Sequence, residues 1–164
     1  MRVFILGNGA REHALTWAFS RSRCISALFV APGNAGTAEI AVNLPDVQPT
    51  KAQEVIQTCR KHKIDLVFVG PEEPLSVGIV DALQKENISV IGPPVKSAQL
   101  ESSKAFSKSF MVKQGIPTAE HQTFTSFSAI EKYLTANRKK VVLKKSGLAA
   151  GKGVLESQDI GEQL

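Results

Sequence analysis

Four short, unbroken apolar runs constrain this chain of 164 residues more than any other feature: RVFIL (2–6), ALFV (27–30), LVFVG (66–70) and SVIG (89–92). Unbroken rather than alternating hydrophobicity marks strands buried on both faces, as in a parallel sheet covered by helices. Between the runs, apolar residues return at helical spacing. Ala14, Leu15, Ala18 and Phe19 fall on one face of a first helix, Val55, Ile56 and Cys59 on a second, and Val80 with Leu83 on a third. Strands alternating with helices predict an α/β fold, a Rossmann-like doubly wound parallel sheet over about residues 1–92. Ligands of such sheets bind beyond the carboxyl ends of the strands.

After Gly92-Pro93-Pro94 the alternation stops. Helices are predicted over 95–101 and 104–114, with Phe106 and Phe110 one turn apart, Gly115 at the C-cap and Pro117 just beyond. QTF (122–124) reads as a strand, and Ser128 with Glu131 as a capping box for a helix bearing Ile130 and Leu134, closed by the basic run 138–140. VVLK (141–144) and VLES (154–157) read as a hairpin, and SQDIGEQL (157–164) as a nascent helix in which the chain breaks off.

Three loops follow strand ends. The first, GNGAREHA (7–14), has two glycines of the dinucleotide fingerprint, but Glu12 stands where the third belongs. No acidic residue closes the second strand to take a ribose hydroxyl, so NAD and FAD are disfavoured. What remains is a glycine turn entering a helix N-terminus with Arg11 in the first turn, suited to one phosphate or phosphosugar, or else a tight turn without a ligand. The second and third loops, APGNAGT (31–37) and GPEEPLSVG (70–78), offer the Asn34 amide and the Glu72 carboxylate to a pocket beside Arg11. On an extended segment Glu72 and Glu73 point opposite ways, which makes Glu72 the binder of hydroxyls or an amine and leaves Glu73 solvated.

The hairpin loop KKSGLAAGKGV (144–154) is the second candidate site. Small residues admit phosphate oxygens close to backbone amides, and lysines supply charge. It is not a P-loop: three residues, not four, separate Gly147 from Gly151-Lys152, and Gly153 stands where a magnesium-binding hydroxyl is needed. A glycine-rich flap over ATP fits the flanking strands; a surface hairpin with solvated lysines is the alternative.

The charge distribution bears on that choice. Residues 1–100 hold ten Lys/Arg against nine Asp/Glu, and residues 101–164 ten against six, so four of the five net positive charges lie in the segment with the flap. Anionic small ligands suit it, and a basic RNA-contacting face competes. One Tyr and one Trp leave no interleaved aromatics for RNA, and nucleic acid is not an expected partner. Cys24, Cys59 and the three histidines have no metal-ligand spacing, so no zinc is assigned and both thiols read as reduced and half-buried. No secretory h-region and no membrane-length apolar run are present, and the expected setting is cytoplasmic.

Taken together, GNGAREHA, VAPGNAGT (30–37), VGPEEPLSVGIVD (69–81), QLESSKAFSK (99–108), GIPTAE (115–120) and GLAAGKGV (147–154) resemble, in order and spacing, the amino-terminal part of the phosphoribosylamine-glycine ligases, or glycinamide ribonucleotide synthetases. These are ATP-grasp enzymes. The resemblance implies ATP-dependent ligation of glycine to 5-phosphoribosylamine through glycyl phosphate, giving glycinamide ribonucleotide, ADP and phosphate in purine synthesis. It implies a substrate-binding domain over 1–100, linker helices over 101–117 and a truncated small ATP-grasp lobe over 118–164. Carried over by motif, the phosphoribosylamine site comprises Gly7, Asn8, Gly9, Ala10, Arg11, Gly33, Asn34, Pro71 and Glu72. The ATP site comprises Lys104, Lys144, Gly147, Gly151, Lys152 and Gly153.

Three departures qualify the match. Ala10 replaces a usual glycine, Lys145 a small residue, and Ser146 stands where many members have aspartate and others serine. The chain stops before the family's magnesium ligands and glycine site, so no catalytic or metal residue is assigned and the 164 residues are expected not to turn over alone. A phosphosugar- or nucleotide-binding module without catalysis, or another ATP-grasp ligase, are the competing readings, and the oligomeric state is not readable.

Overall fold

The computed structural model describes residues 1–137, 141–149 and 151–155, which leaves the basic run 138–140, Ala150 and residues 156–164, with the helix expected over 157–164, outside the description. Two compact units divide the chain, Met1–Ala98 and Gln99–Leu164.

The first unit runs β1 (Arg2–Gly7), α1 (Ala10–Ser20), β2 (Ala27–Pro32), α2 (Ala35–Ala38), β3 (Val42–Asn43), α3 (Ala52–His62), β4 (Leu66–Val69), α4 (Glu72–Ser76), α5 (Ile79–Lys85) and β5 (Val90–Ile91). All five strands are parallel, in the order β3-β2-β1-β4-β5. Strand order reverses at β1, so the carboxyl ends of β1 and β4 flank the switch point where such sheets hold ligands.

Alternation along the strands divides the core between two faces. Phe4, Leu6, Phe29, Ala31, Val67 and Val69 pack with Val55, Ile56 and Cys59 of α3 and Ile79, Val80 and Leu83 of α5. Val3, Ile5, Leu28 and Val30 form the other face, under Leu15 and Phe19 of α1. Each fully buried Leu, Ile or Phe side chain stabilises the fold by roughly 1.5–3 kcal/mol relative to exposure.

Four expectations change. Val42–Asn43 is a fifth strand, only two residues long and so without a hydrophobic signature. Residues 72–76, expected as loop, form α4. On α1 the inward residues are Glu12, Leu15, Thr16 and Phe19, whereas Ala14 and Ala18 face solvent. The helix rolls so that the Glu12 side chain lies under the glycine loop, and the Thr16 hydroxyl donates to the Glu12 carbonyl at 2.6 Å. Cys59 is fully in the core, where burial pushes its thiol up to about 11, while Cys24 is exposed, so the two are not alike half-buried.

The helix α6 (Val95–Ser102) starts where Val95 N–H donates to the Asp81 carboxylate, and it seats Ala98 in the first core. In the second unit come α7 (Lys104–Lys113), α8 (Phe127–Ala136) and the antiparallel hairpin of β6 (Leu143–Lys144) and β7 (Val154–Leu155). Gly115 follows α7 at φ +68, a left-handed closure with Ile116 N–H on the Met111 carbonyl. Residues 122–124 form no strand. The capping box expected from Ser128 also fails, because α8 begins two residues earlier, with Ser126 at its N-cap. No helix among the described residues is long and apolar enough to cross a membrane.

Candidate functional site

The first unit gathers its strand-end loops around the switch point. A cleft of about 300 Å³ is lined by Gly7 and Asn8 after β1, Pro32 after β2, Gln48, Pro49 and Thr50 after β3, and Pro71, Glu73 and Pro74 after β4. Four prolines, each with fixed φ, make stiff walls. The polar side chains at the cleft are those of Asn8, Gln48, Thr50 and Glu73.

Of the phosphoribosylamine-site residues expected from sequence, Gly7, Asn8 and Pro71 line this cleft, and Gly9, Ala10, Arg11, Gly33, Asn34 and Glu72 do not. Arg11 is exposed and donates from Nη1 to the Gly70 carbonyl at 2.6 Å, tying the first loop to the third. One of its five N–H groups is thereby used. Gly9 is the N-cap of α1 and has no side chain, so the first-turn amides, Ala10 included, lack a side-chain cap.

Asn34 is committed within the protein. Its Nδ2 donates to the Asn8 carbonyl at 2.8 Å and the Gly9 carbonyl at 3.3 Å, and its Oδ1 accepts from Thr37 N–H at 3.0 Å. A Cβ on Gly33 would strike the Asn43 side chain, whose Nδ2 donates to the Asn34 carbonyl. Asn34 and Gly33 thus brace the loops rather than reach into the cleft.

Glu73 lines the cleft and Glu72 does not. The reason is α4: in a helix neighbouring side chains diverge by about 100° instead of 180°, so the extended-chain assignment of the two carboxylates does not hold.

Sequence reasoning missed Glu12. Only 4 % exposed, it accepts from Gly9 N–H at 2.7 Å through Oε2, while Oε1 is buried without a hydrogen-bond partner. Its carboxylate lies against Gly7 and Gly70: a Cβ on Gly7 would come within 2.6 Å of the side chain, and one on Gly70 would overlap Oε1. Two strand-end glycines therefore make room for a side chain of the protein itself. The clue lay in the same octapeptide, where a glutamate occupies the place of a glycine. Gln48, Pro49 and Thr50 left a weaker clue, because their loop is a strand-end loop only once β3 is recognised.

The second unit carries the flap. Lys145 N–H donates to the Gly153 carbonyl at 2.8 Å and Lys152 N–H to the Ala149 carbonyl at 2.7 Å, shaping the loop beyond β6 and β7. Gly153 sits at φ +79, left-handed backbone that a side chain would strain, with its Cβ position 3.1 Å from that of Lys145. Among the described residues, nothing beyond the chain neighbours lies within 4 Å of a Cβ built on Gly147 or Gly151, so on that side the loop has room for a ligand. Lys144, Lys145 and Lys152 are exposed and form no ion pair among the described residues. At the start of α7, Lys104 donates from Nζ to the Gly147 carbonyl at 3.3 Å. Open glycine backbone beside unpaired ammonium groups fits a polyphosphate. No group of three or more His, Cys, Asp or Glu able to hold a metal exists among the described residues.

Comparison with known proteins gives a consistent picture. Residues 1–101 match the family described as phosphoribosylglycinamide synthetase, N domain, and residues 102–163 match its ATP-grasp (A) domain. The phosphoribosylamine–glycine ligase of Neisseria meningitidis serogroup B is 46 % identical over 162 residues, covering 99 % of this chain and 38 % of that protein. The enzyme of the same name from Escherichia coli K12 is 44 % identical, with the same coverage. A crystal structure of phosphoribosylamine–glycine ligase from Thermotoga maritima superposes with a TM-score of 0.73 at 32 % identity, over 99 % of this chain and 37 % of that one. The biotin carboxylase domain of a Hydrogenobacter thermophilus 2-oxoglutarate carboxylase, solved with MgADP, shares the fold alone, with a TM-score of 0.78 at 17 % identity. This chain spans about 38 % of the length of the curated relatives it matches.

Proposed function

This chain belongs to the phosphoribosylglycinamide synthetase family, and we propose that it supplies the phosphosugar site and part of the nucleotide site for ATP-dependent ligation of glycine to 5-phosphoribosylamine. The observation that carries the reading is the cleft at the β1/β4 switch point, where hydroxyl- and amine-binding groups meet an uncapped helix start. The phosphate of phosphoribosylamine is assigned to the first-turn amides of α1, with Arg11 beside them. The ribose hydroxyls and the amine are assigned to the cleft, where Asn8, Gln48, Thr50 and Glu73 offer acceptors and donors.

In the reaction, the glycine carboxylate attacks the γ-phosphorus of ATP and ADP leaves. The amine of phosphoribosylamine then attacks the glycyl phosphate, losing a proton and expelling phosphate. Such chemistry depends on positioning and charge neutralisation more than on a protein nucleophile. Lys104, Lys144 and Lys152, with the Gly147, Gly151 and Gly153 backbone, are assigned to the ATP phosphates. The described residues do not fit a magnesium site, and no step is assigned to one. On this reading residues 1–100 bind substrate, 101–117 link, 118–164 belong to the ATP-grasp lobe, and the setting is cytoplasmic.

The test is phosphate release by the native gene product given ATP, glycine and phosphoribosylamine formed in situ from ribose 5-phosphate and ammonia. Release that requires all three substrates, and falls at least tenfold on replacing Lys144 by Ala, is expected, since a charge-assisted contact is worth about 1.5–3 kcal/mol. Release independent of glycine would overturn the assignment.

A further inference from the structure

We propose that Ser146 is a positioning residue for nucleotide binding, fixing Lys104 to the base of the flap; this rests on the reading of the flap as the ATP phosphate site. A helix start leaves its first amides without intrahelical acceptors, and a cap normally comes from the residue just before. In α7 the side chain of that residue, Ser103, takes the Phe106 amide alone, at 3.2 Å. The two amides before it are taken by Ser146, forty-odd residues away: Lys104 N–H donates to the Ser146 carbonyl at 2.9 Å, and Ala105 N–H to its hydroxyl at 3.0 Å.

The three amides are thus satisfied by two serines, one local and one on the flap. Ser146 stands between Lys145, whose amide holds the Gly153 carbonyl, and Gly147, whose carbonyl receives Lys104 Nζ. The hydroxyl therefore binds the main chain of α7 at the point from which the Lys104 side chain departs, and the flap and Lys104 are held in one register. With its amides occupied by protein oxygens, the start of α7 is not itself a phosphate site. Its contribution is the Lys104 ammonium, which the Gly147 carbonyl holds at 3.3 Å and can yield to a phosphate.

An alanine at 146 keeps the main-chain acceptor and loses the hydroxyl; a threonine keeps both. In the native gene product, S146A is expected to raise KM for ATP about three- to tenfold, the size of effect that loss of one cap-strength hydrogen bond gives when it is felt in nucleotide binding, with KM for glycine unchanged. S146T is expected to restore the wild-type value. In a Lys104→Ala background, S146A is expected to add less than about twofold, because the group being positioned is gone. Amide exchange at Ala105 in this chain reads the contact without nucleotide, and is expected to quicken with S146A and not with S146T.

The proposal is overturned if S146A leaves KM for ATP unchanged while Lys144→Ala raises it, a result in which the phosphate-site reading survives. It is also overturned if S146A and Lys104→Ala multiply as independent effects, or if S146T is as impaired as S146A. If neither Lys104→Ala nor Lys144→Ala alters KM for ATP, the phosphate-site reading and the proposal fall together.

Discussion

Glu12 is a carboxylate buried among glycines, and its environment explains why three loops meet as they do. Burying a polar group without compensation is costly, yet this carboxyl has a single hydrogen bond, from Gly9 N–H, and a second oxygen without a partner. The absence of a Cβ at Gly7 and Gly70 is what admits the side chain. Gly70→Ala is therefore expected to destabilise the first unit by about 1–3 kcal/mol, the usual cost of overpacking a tight site. Adding Glu12→Ala removes the colliding group, so the double variant is expected to be more stable than the sum of the two single losses. Denaturant midpoints of the four proteins measure this, and strict additivity would show that Gly70 does not accommodate Glu12. The sequence presents these glycines clearly, but reading them as room for a ligand mistakes their neighbour. A glutamate that folds back three residues looks, in one dimension, like a motif violation.

The loop between β3 and α3 supplies Gln48, Pro49 and Thr50 to the cleft and is held by a contact outside it. Gln48 N–H donates to Glu54 Oε2 at 3.0 Å, and Lys51 pairs with Oε1 at 3.2 Å. The Gln48 amide first, and then Lys51, hold the Glu54 carboxyl below its usual value. A lowered folded-state pKa gives a stabilising contribution that is present above the unfolded pKa and lost as pH falls through the folded one. Acidification below about pH 4.5 is thus expected to release this loop before it unfolds the sheet, with the Gln48 amide shift following the Glu54 carboxyl titration and vanishing in Glu54→Gln. A Gln48 shift flat across that range would contradict the anchor. The helices and long strands around this loop were legible because their periodicity is sustained, as with Val55, Ile56 and Cys59 in α3. The two-residue β3 was not, and with it went the recognition that residues 48–50 stand at a strand end. The α4 turn was hidden by the prolines and glycine around it, which read as loop in the absence of tertiary contacts.

Two units, each with its own anion-suited feature, account for the distribution of charge along the chain. The first is nearly balanced and presents Arg11 beside a helix start without a side-chain cap; the second holds most of the excess of cations, three of them on an open glycine hairpin. The architecture of the first unit follows from four apolar runs that could not be soluble unless covered on both sides. The flap was equally legible, since glycine spacing and lysines are properties of the sequence. What pairs with Ser146 or with Glu12 was not, because those contacts join positions that no local pattern connects. The central claim is that the strand-end cleft of residues 1–98 takes the phosphosugar, and the measurement is a titration of isotopically labelled chain with ribose 5-phosphate, followed amide by amide. Shifts concentrated at Asn8, Gly9, Ala10, Arg11, Gln48, Thr50 and Glu73, saturating together and lost in Arg11→Ala, are expected. Shifts that bypass these loops, or appear only at the flap lysines, would contradict it.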